Sequence, residues 1–246
     1  MSSMRAFSLL LLLFMASLSV PARCQDGSEW DRARQQLILS QRSGMAQAID
    51  RWRQLSASPG VYGFDTLSGF LLAYPGFPDE EKLRTAAENA LGRESPDLTR
   101  LVAFFDKFPP LTNPARARYA LSLASLQRPE ARSLGLAAWR GGPMSDASEA
   151  ALFSLYGPSF TPADHDARMN ALLWAGAADQ AARQMTYVSA TARPGFMARL
   201  AMSQGSSPGM LGLPVPGDAL RDSGYIYASV RQARRSGNLY GAIQML

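Results

Sequence analysis

Residues 161–176 read TPADHDARMNALLWAG, and this stretch holds a whole helix with its own start and stop signals. Thr161 is a good N-cap, because its hydroxyl accepts a backbone N–H that the first helical turn leaves unpaired. Pro162 at the first helical position loses nothing by lacking an N–H. Asp164, three residues after the cap, approximates a capping box. Met169, Leu172 and Leu173 then share one face at helical spacing, and Gly176 supplies the stop.

The same grammar runs outward in both directions. Ser95-Pro96 and Asn113-Pro114 each place an N-cap before a proline, and Ser145 with Asp146 and Glu149 opens another helix. Leu98, Leu101, Val102 and Phe105 fall on one face of a helix expected over 96–108. Tyr119, Leu123 and Leu126 stripe the next, then Leu134 and Ala138, then Ala151, Leu152 and Leu155. Upstream, Met45, Ile49 and Trp52 repeat the pattern. Stops stand at Gly141-Gly142 and Gly157-Pro158. Thr186–Thr191 is the best strand candidate, and it is too short and isolated to build a sheet.

The starts recur at a fixed pitch. Ser95 to Arg128 is 33 residues, Asn113 to Ser145 is 32, and Arg128 to Thr161 is 33, each interval holding two helices. That is the period of a helix-hairpin solenoid, although the residues are not a tetratricopeptide consensus. The expected fold is therefore all-α: a superhelical α-solenoid of degenerate helix-hairpin repeats with a concave surface. Ser56–Gly63 is expected as a turn-rich joint. Gly205–Gly217, with three prolines and four glycines, is expected as an ordered surface loop between stacked segments. Leu239, Ile243 and Leu246 begin a further amphipathic helix. A solenoid end needs a polar cap, so this face is expected either to be covered by a partner or to continue into a longer protein.

Residues 1–22 have the layout of a secretory signal peptide. Arg5 gives the positive start, Leu9–Phe14 the apolar run, and Val20-Pro21-Ala22 the small-residue cleavage site. The apolar run is too short to span a bilayer, which needs about 20 residues. Cys24 is a poor lipid-attachment site because Arg23 precedes it. Cleavage near Ala22 sends the remaining chain, 23–246, to the periplasm as the helical-repeat domain. Cys24 is the only cysteine and His165 the only histidine, so an intrachain disulfide and a Cys/His zinc site are both excluded.

Twenty-five Lys and Arg stand against 20 Asp and Glu, a formal charge of +5. All of the cations but Lys82 and Lys107 are arginines. They are scattered singly along helices and form no block, which favours composition over a binding patch. After export, nucleic acid is the least favoured partner.

The sequence offers little chemistry. Asp164-His165-Asp166 offers an imidazole between two carboxylates, but adjacent helical residues point about 100° apart and do not converge. The acids fit the helix dipole, and His165 is expected to pack or cap locally. There is no G-x-S-x-G elbow, and the glycines of 209–217 match no phosphate loop. Trp30, Trp52, Trp139 and Trp174 are expected in the core, a sugar-stacking platform at one of them being the rival reading. The residues show no catalytic, cofactor-binding or metal-binding position.

Several stretches, taken in order, resemble the amino-terminal helical domain of soluble lytic murein transglycosylases of the alphaproteobacterial type. They are FLLAYPGFP (70–78), Phe104-Phe105 through FPPLT (108–112), AAWRGG (137–142), FTPADHDARM (160–169) with Leu172-Leu173-Trp174, and MARL (197–200). The resemblance runs from about residue 28 to the end. It implies a periplasmic protein and a superhelix against which a lysozyme-like catalytic domain rests. The family cleaves the MurNAc–GlcNAc bond of peptidoglycan without water, using one glutamate in a Glu-Ser motif followed downstream by Gly-Ala-x-Gly-Leu-Met-Gln. Here Glu94-Ser95 matches two letters, Pro96-Asp97 follow, and no Gly-Leu-Met-Gln segment exists. The expectation is a helical scaffold that lacks the catalytic domain, needs no cofactor, contacts glycan strands and is inactive alone. Its partner would be the missing catalytic domain or an envelope protein. The alternative is a stand-alone helical-repeat adaptor for envelope proteins or peptides.

Overall fold

The computed structural model describes residues 27–215 and 217–245. The signal-peptide reading of 1–22, Cys24, Pro216 and Leu246 lie outside the described residues. Two compact units divide the chain, Met1–Ile49 and Asp50–Leu246. The first contributes the leading part of α1 (Gly27–Ala57), where Trp30, Leu37, Leu39 and Met45 stand exposed. Trp30 is 67% exposed, so the core position expected for it is not found, and Met45 leaves the expected stripe in the same way.

The second unit is a succession of short helices. In order they are α2 (Phe64–Ala73), α3 (Glu80–Ala90), α4 (Leu98–Lys107), α5 (Asn113–Ser125), α6 (Ala131–Arg140) and α7 (Asp146–Tyr156). Then follow α8 (Pro162–Ala175), α9 (Ala178–Gln184), α10 (Arg193–Ser203), α11 (Ser223–Arg235) and α12 (Leu239–Gln244). No strand occurs among the described residues, and Thr186–Thr191 is a turn. The main packing partners are near neighbours in the chain: α2 with α3 and α4, α3 with α5, α5 with α6 and α7, α6 with α8, α8 with α10, α10 with α11. Nearest-neighbour packing of this kind is what a helix-hairpin stack requires.

The core is correspondingly serial. Phe64, Leu67, Leu83, Leu101, Phe104, Phe105 and Leu123 form one buried cluster. Ala120, Ala138, Trp139, Met144 and Leu152 form a second, and Met169, Leu172, Leu173, Ala181 and Val188 a third. Burying one such large side chain contributes about 1.5–3 kcal/mol. Two predicted stripe members, Leu126 and Leu155, are instead 45% and 54% exposed, because each ends its stripe at the last turn of its helix.

The start signals hold in part. Thr161 and Asp164 form the full capping box, and Ser145 accepts from the Ser148 N–H at 3.2 Å. Two caps fall elsewhere than expected. Asp97, not Ser95, caps α4, its carboxylate accepting from Thr99 and Arg100 at 3.0 and 3.1 Å. The helix starts at Leu98, so Asp97 and not Ser95 stands at the position from which a side chain reaches its first N–H groups. Thr112, not Asn113, caps α5, which frees the Asn113 amide to donate to Ala138 and Pro143 carbonyls at 2.9 and 3.1 Å. The joint after α1 is shorter than read, since α1 runs to Ala57 and a 3-10 turn occupies Pro59–Val61. Gly205–Gly217 is irregular as expected and joins α10 to α11, with one 3-10 turn at Gly209–Leu211.

Candidate functional site

Several charged side chains that sequence reading left unassigned turn out to finish helix ends on neighbouring repeats. Cations meet the unpaired carbonyls: Lys82 donates to Ser56, Lys107 to Leu72, Arg168 to Gly142 and Arg235 to Ser203, across 26 to 35 residues of chain. That is about one repeat, so each cation closes the carbonyl end of the hairpin before it. Carboxylates do the converse. Buried Glu88 accepts from the N–H groups of Leu111 and Thr112 at 2.8 and 2.7 Å, at the entry to α5. Glu94 accepts from Phe64 N–H at 2.9 Å and so caps α2 from the far side of α3. A Cβ on Gly63 would lie 2.7 Å from Glu94 Oε1, so a larger residue there would make the carboxylate shift.

The Asp164-His165-Asp166 triplet behaves as its geometry predicts, the three side chains reaching three different places. Asp164 belongs to the capping box and is paired with Arg140. Burial alone would raise its pKa, but the Thr161 and Arg140 hydrogen bonds outweigh that and hold the carboxyl below its ordinary range. Asp166 accepts from the Ser189 N–H and hydroxyl at 2.9 and 2.6 Å, fixing the turn before α10. His165 is buried, its Nδ1 3.1 Å from the Gln184 amide nitrogen and its ring stacked on Tyr187 at 5.3 Å. The amide nitrogen donates, which assigns the ring proton to Nε2. Burial pushes the His165 pKa down against the pull of Asp164 and Asp166, so the ring is neutral at neutral pH.

Behind His165 the structure brings Trp139, one of the four tryptophans weighed as a sugar-stacking platform, together with residues that the sequence had offered only as helix starts or scattered charges. A cleft of about 470 Å³ is lined by Trp139 of α6, by Asp146, Glu149, Ala150 and Phe153 of α7, and by Arg183, Gln184 and Tyr187 at the end of α9. Its size falls within the ordinary range of small-molecule sites, about 300–1,000 Å³. Its wall is aromatic: Tyr187 lies 5.1 Å from Phe153, which lies 5.6 Å from Trp139. Its polar side is a charge relay in space. Arg183 Nη2 stands 2.6 Å from Asp146 Oδ1 and 3.3 Å from Glu149 Oε2. Glu149 Oε2 also faces Arg168 Nη2 at 2.9 Å, an ion pair without hydrogen-bond alignment.

Arg168 is the most deeply buried charge in the described chain. Its guanidinium lies 4.3 Å over the Trp139 ring, and Nη1 donates to the Gly142 carbonyl at 2.8 Å. Desolvation pulls its pKa down while Glu149 pulls it up, and a guanidinium stays charged throughout. Burial works against the Arg183 charge too, but Glu149 and Asp146 outweigh it and raise that pKa.

Of the four tryptophans, Trp139 is core as expected. Trp52 is half-buried and donates to the Pro78 carbonyl at 2.8 Å. Trp174 is 40% exposed and stacked on Tyr227 at 4.5 Å, so it departs from the core reading. No group of three or more His, Cys, Asp or Glu able to hold a metal occurs among the described residues, and none of their helices is long and apolar enough to cross a membrane.

No protein-family model matches the chain, and no curated protein matches it. Among solved structures it is similar to the 70-kDa soluble lytic transglycosylase in complex with bulgecin A, at 16% identity and a TM-score of 0.40. The match covers 89% of this chain and 37% of that one. So slight a likeness assigns neither fold nor function.

Proposed function

We propose that this chain is a helical scaffold that holds peptidoglycan glycan strands and cleaves no bond itself, a counterpart of the amino-terminal helical domain of soluble lytic murein transglycosylases. On this reading it is exported to the periplasm by residues 1–22, needs no cofactor, and works beside a catalytic domain. The observation that carries the proposal is the fate of Glu94. The one glutamate followed by serine, and hence the one that half-matches the family's catalytic motif, spends its carboxylate on the Phe64 N–H in a helix cap. A general acid must instead reach the glycosidic oxygen with a free proton. Further support comes from the ordered stretches resembling the family: 70–78 and 104–112 fall at the corners of the first core cluster, 137–142 and 160–169 around the second.

The test is digestion. The purified chain is incubated with murein sacculi and the supernatant is examined for anhydro-muropeptides by mass spectrometry. None are expected; their appearance would overturn the non-cleaving reading.

A second reading, a helical-repeat adaptor for envelope proteins, is favoured by one feature. On α12, Leu239, Tyr240 and Ile243 are all more than half exposed. A chain indifferent to murein but captured by an envelope protein through α12 would favour it.

A further inference from the structure

We infer that the cleft between α7 and the end of α9 is a binding site for one or two units of a neutral saccharide. The inference rests on the glycan-scaffold reading and names the place and the chemistry. Two independent features of the cleft agree.

The first is the wall. A pyranose ring presents a face of C–H bonds that packs on an aromatic ring, and aromatic side chains with a polar tip suit such half-wet contacts. Tyr187 is 45% exposed, and it is held in place rather than loose, because His165 stacks behind it and Phe153 buttresses it at 5.1 Å. A platform fixed before binding loses little side-chain entropy when the ligand arrives.

The second is the polar set. Sugar hydroxyls donate and accept at once, so a site for them needs acceptors and donors side by side. Asp146 and Glu149 supply acceptors, and Arg183 and the Gln184 amide lie beside them. Asp146 carries its carboxylate at the start of α7 with 81% of the side chain exposed, within reach of solvent-borne hydroxyls. The charges sum to nothing: two carboxylates, Asp146 and Glu149, face two guanidiniums, Arg168 and Arg183. A balanced set favours neither an anionic nor a cationic ligand, in contrast to the basic balance of the whole chain.

Trp139 supplies the reporter. It is buried and lines the cleft, so its indole resonance senses what enters. A neutral oligosaccharide of N-acetylated hexosamine offers the C–H faces and the hydroxyls that the wall and the polar set would take.

The experiment follows the Trp139 indole N–H by two-dimensional NMR while a soluble neutral oligosaccharide of N-acetylated hexosamine is added, at low and at high salt. A saturable shift of that resonance, unchanged by salt, is expected. Tyr187→Ala removes the stacking face and should weaken binding about tenfold, in line with an aromatic contact. Tyr187 also supports His165, so Asp146→Asn is the companion variant: exposed and nearly isosteric, it leaves the core untouched and should weaken binding severalfold. Should Tyr187→Ala fail to fold, Asp146→Asn decides alone. Wild-type binding that moves other resonances, or that neither variant weakens, overturns the cleft while leaving the scaffold reading intact. A wild-type chain that binds neither the oligosaccharide nor sacculi overturns both.

Discussion

At the scale of single residues, the buried charge of Arg168 sets the sharpest test of the packing. Glu149 is its counter-charge, so Glu149→Ala leaves a guanidinium buried without one. A loss of about 3 kcal/mol is expected in denaturant unfolding. Arg168→Met, which removes the charge along with its hydrogen bonds and keeps the volume, should cost distinctly less, because replacing a buried ion by an apolar side chain is often nearly neutral. Equal losses for the two would contradict this account of the pair.

Titration gives a second residue-level test. The Tyr119 hydroxyl donates to Asp106 Oδ1 at 2.5 Å, and burial first, then that bond and the Asp106 charge, push its pKa from 10 up to about 12. The folded state therefore keeps a proton that the unfolded chain gives up. The resulting stability is complete below about pH 10 and is lost as pH rises toward about 12. Tyr119→Phe should flatten the alkaline fall in unfolding free energy, and an unchanged fall would contradict the assignment. His165 acts at the other end of the scale with the sign of a depressed base. Its neutral folded form resists protonation that the unfolded chain accepts, so stability falls as pH drops below 6.5. His165→Asn, probed by acid unfolding, should reduce that slope.

At the scale of elements, stability rests on caps supplied from one repeat to the next. Glu88→Gln leaves one of the two N–H groups at Leu111 and Thr112 without an acceptor and should cost about 1–3 kcal/mol, measured as a shift in the urea midpoint. Gly142 stands at φ +96°, and a Cβ there would meet Ala171 Cβ at 2.9 Å. Gly142→Ala should therefore destabilise by more than about 1 kcal/mol through strain and contact together, and a neutral result would contradict the tight α6–α8 approach. The helices themselves were legible in the sequence because their signals are local. Thr161, Pro162 and Asp164 specify a helix start within four residues, and the structure keeps it. The cross-repeat caps were not legible. Glu94 and Phe64 are 30 residues apart, and neither carries a local mark of the other. Ser95 looked like a cap for the same reason that Asp97 is one, and only the position of the first helical N–H groups separates them.

At the scale of the whole molecule, the period of 32 or 33 residues made the repeat architecture readable, since it depends only on spacing. The cleft was not readable. Trp139, Glu149, Arg183 and Tyr187 come from α6, α7 and the end of α9, and meet only because successive hairpins stack. Asp146 and Glu149 did stand out, but as dipole-favoured acids at a helix start, which they also are. Arginine, scattered singly in sequence, is uneven in space: Arg168 is fully buried while Arg100 pairs with Asp65 at the surface. Part of the positive charge thus serves the fold, and the proposed attachment to glycan strands should not depend on the rest.

Co-sedimentation of the purified chain with murein sacculi at low and at high salt tests this most directly. Binding that survives high salt is expected, because stacking and neutral hydrogen bonds are little screened. Binding that disappears as salt rises would mean that a basic surface merely adheres to an anionic polymer, and would contradict the glycan-holding scaffold.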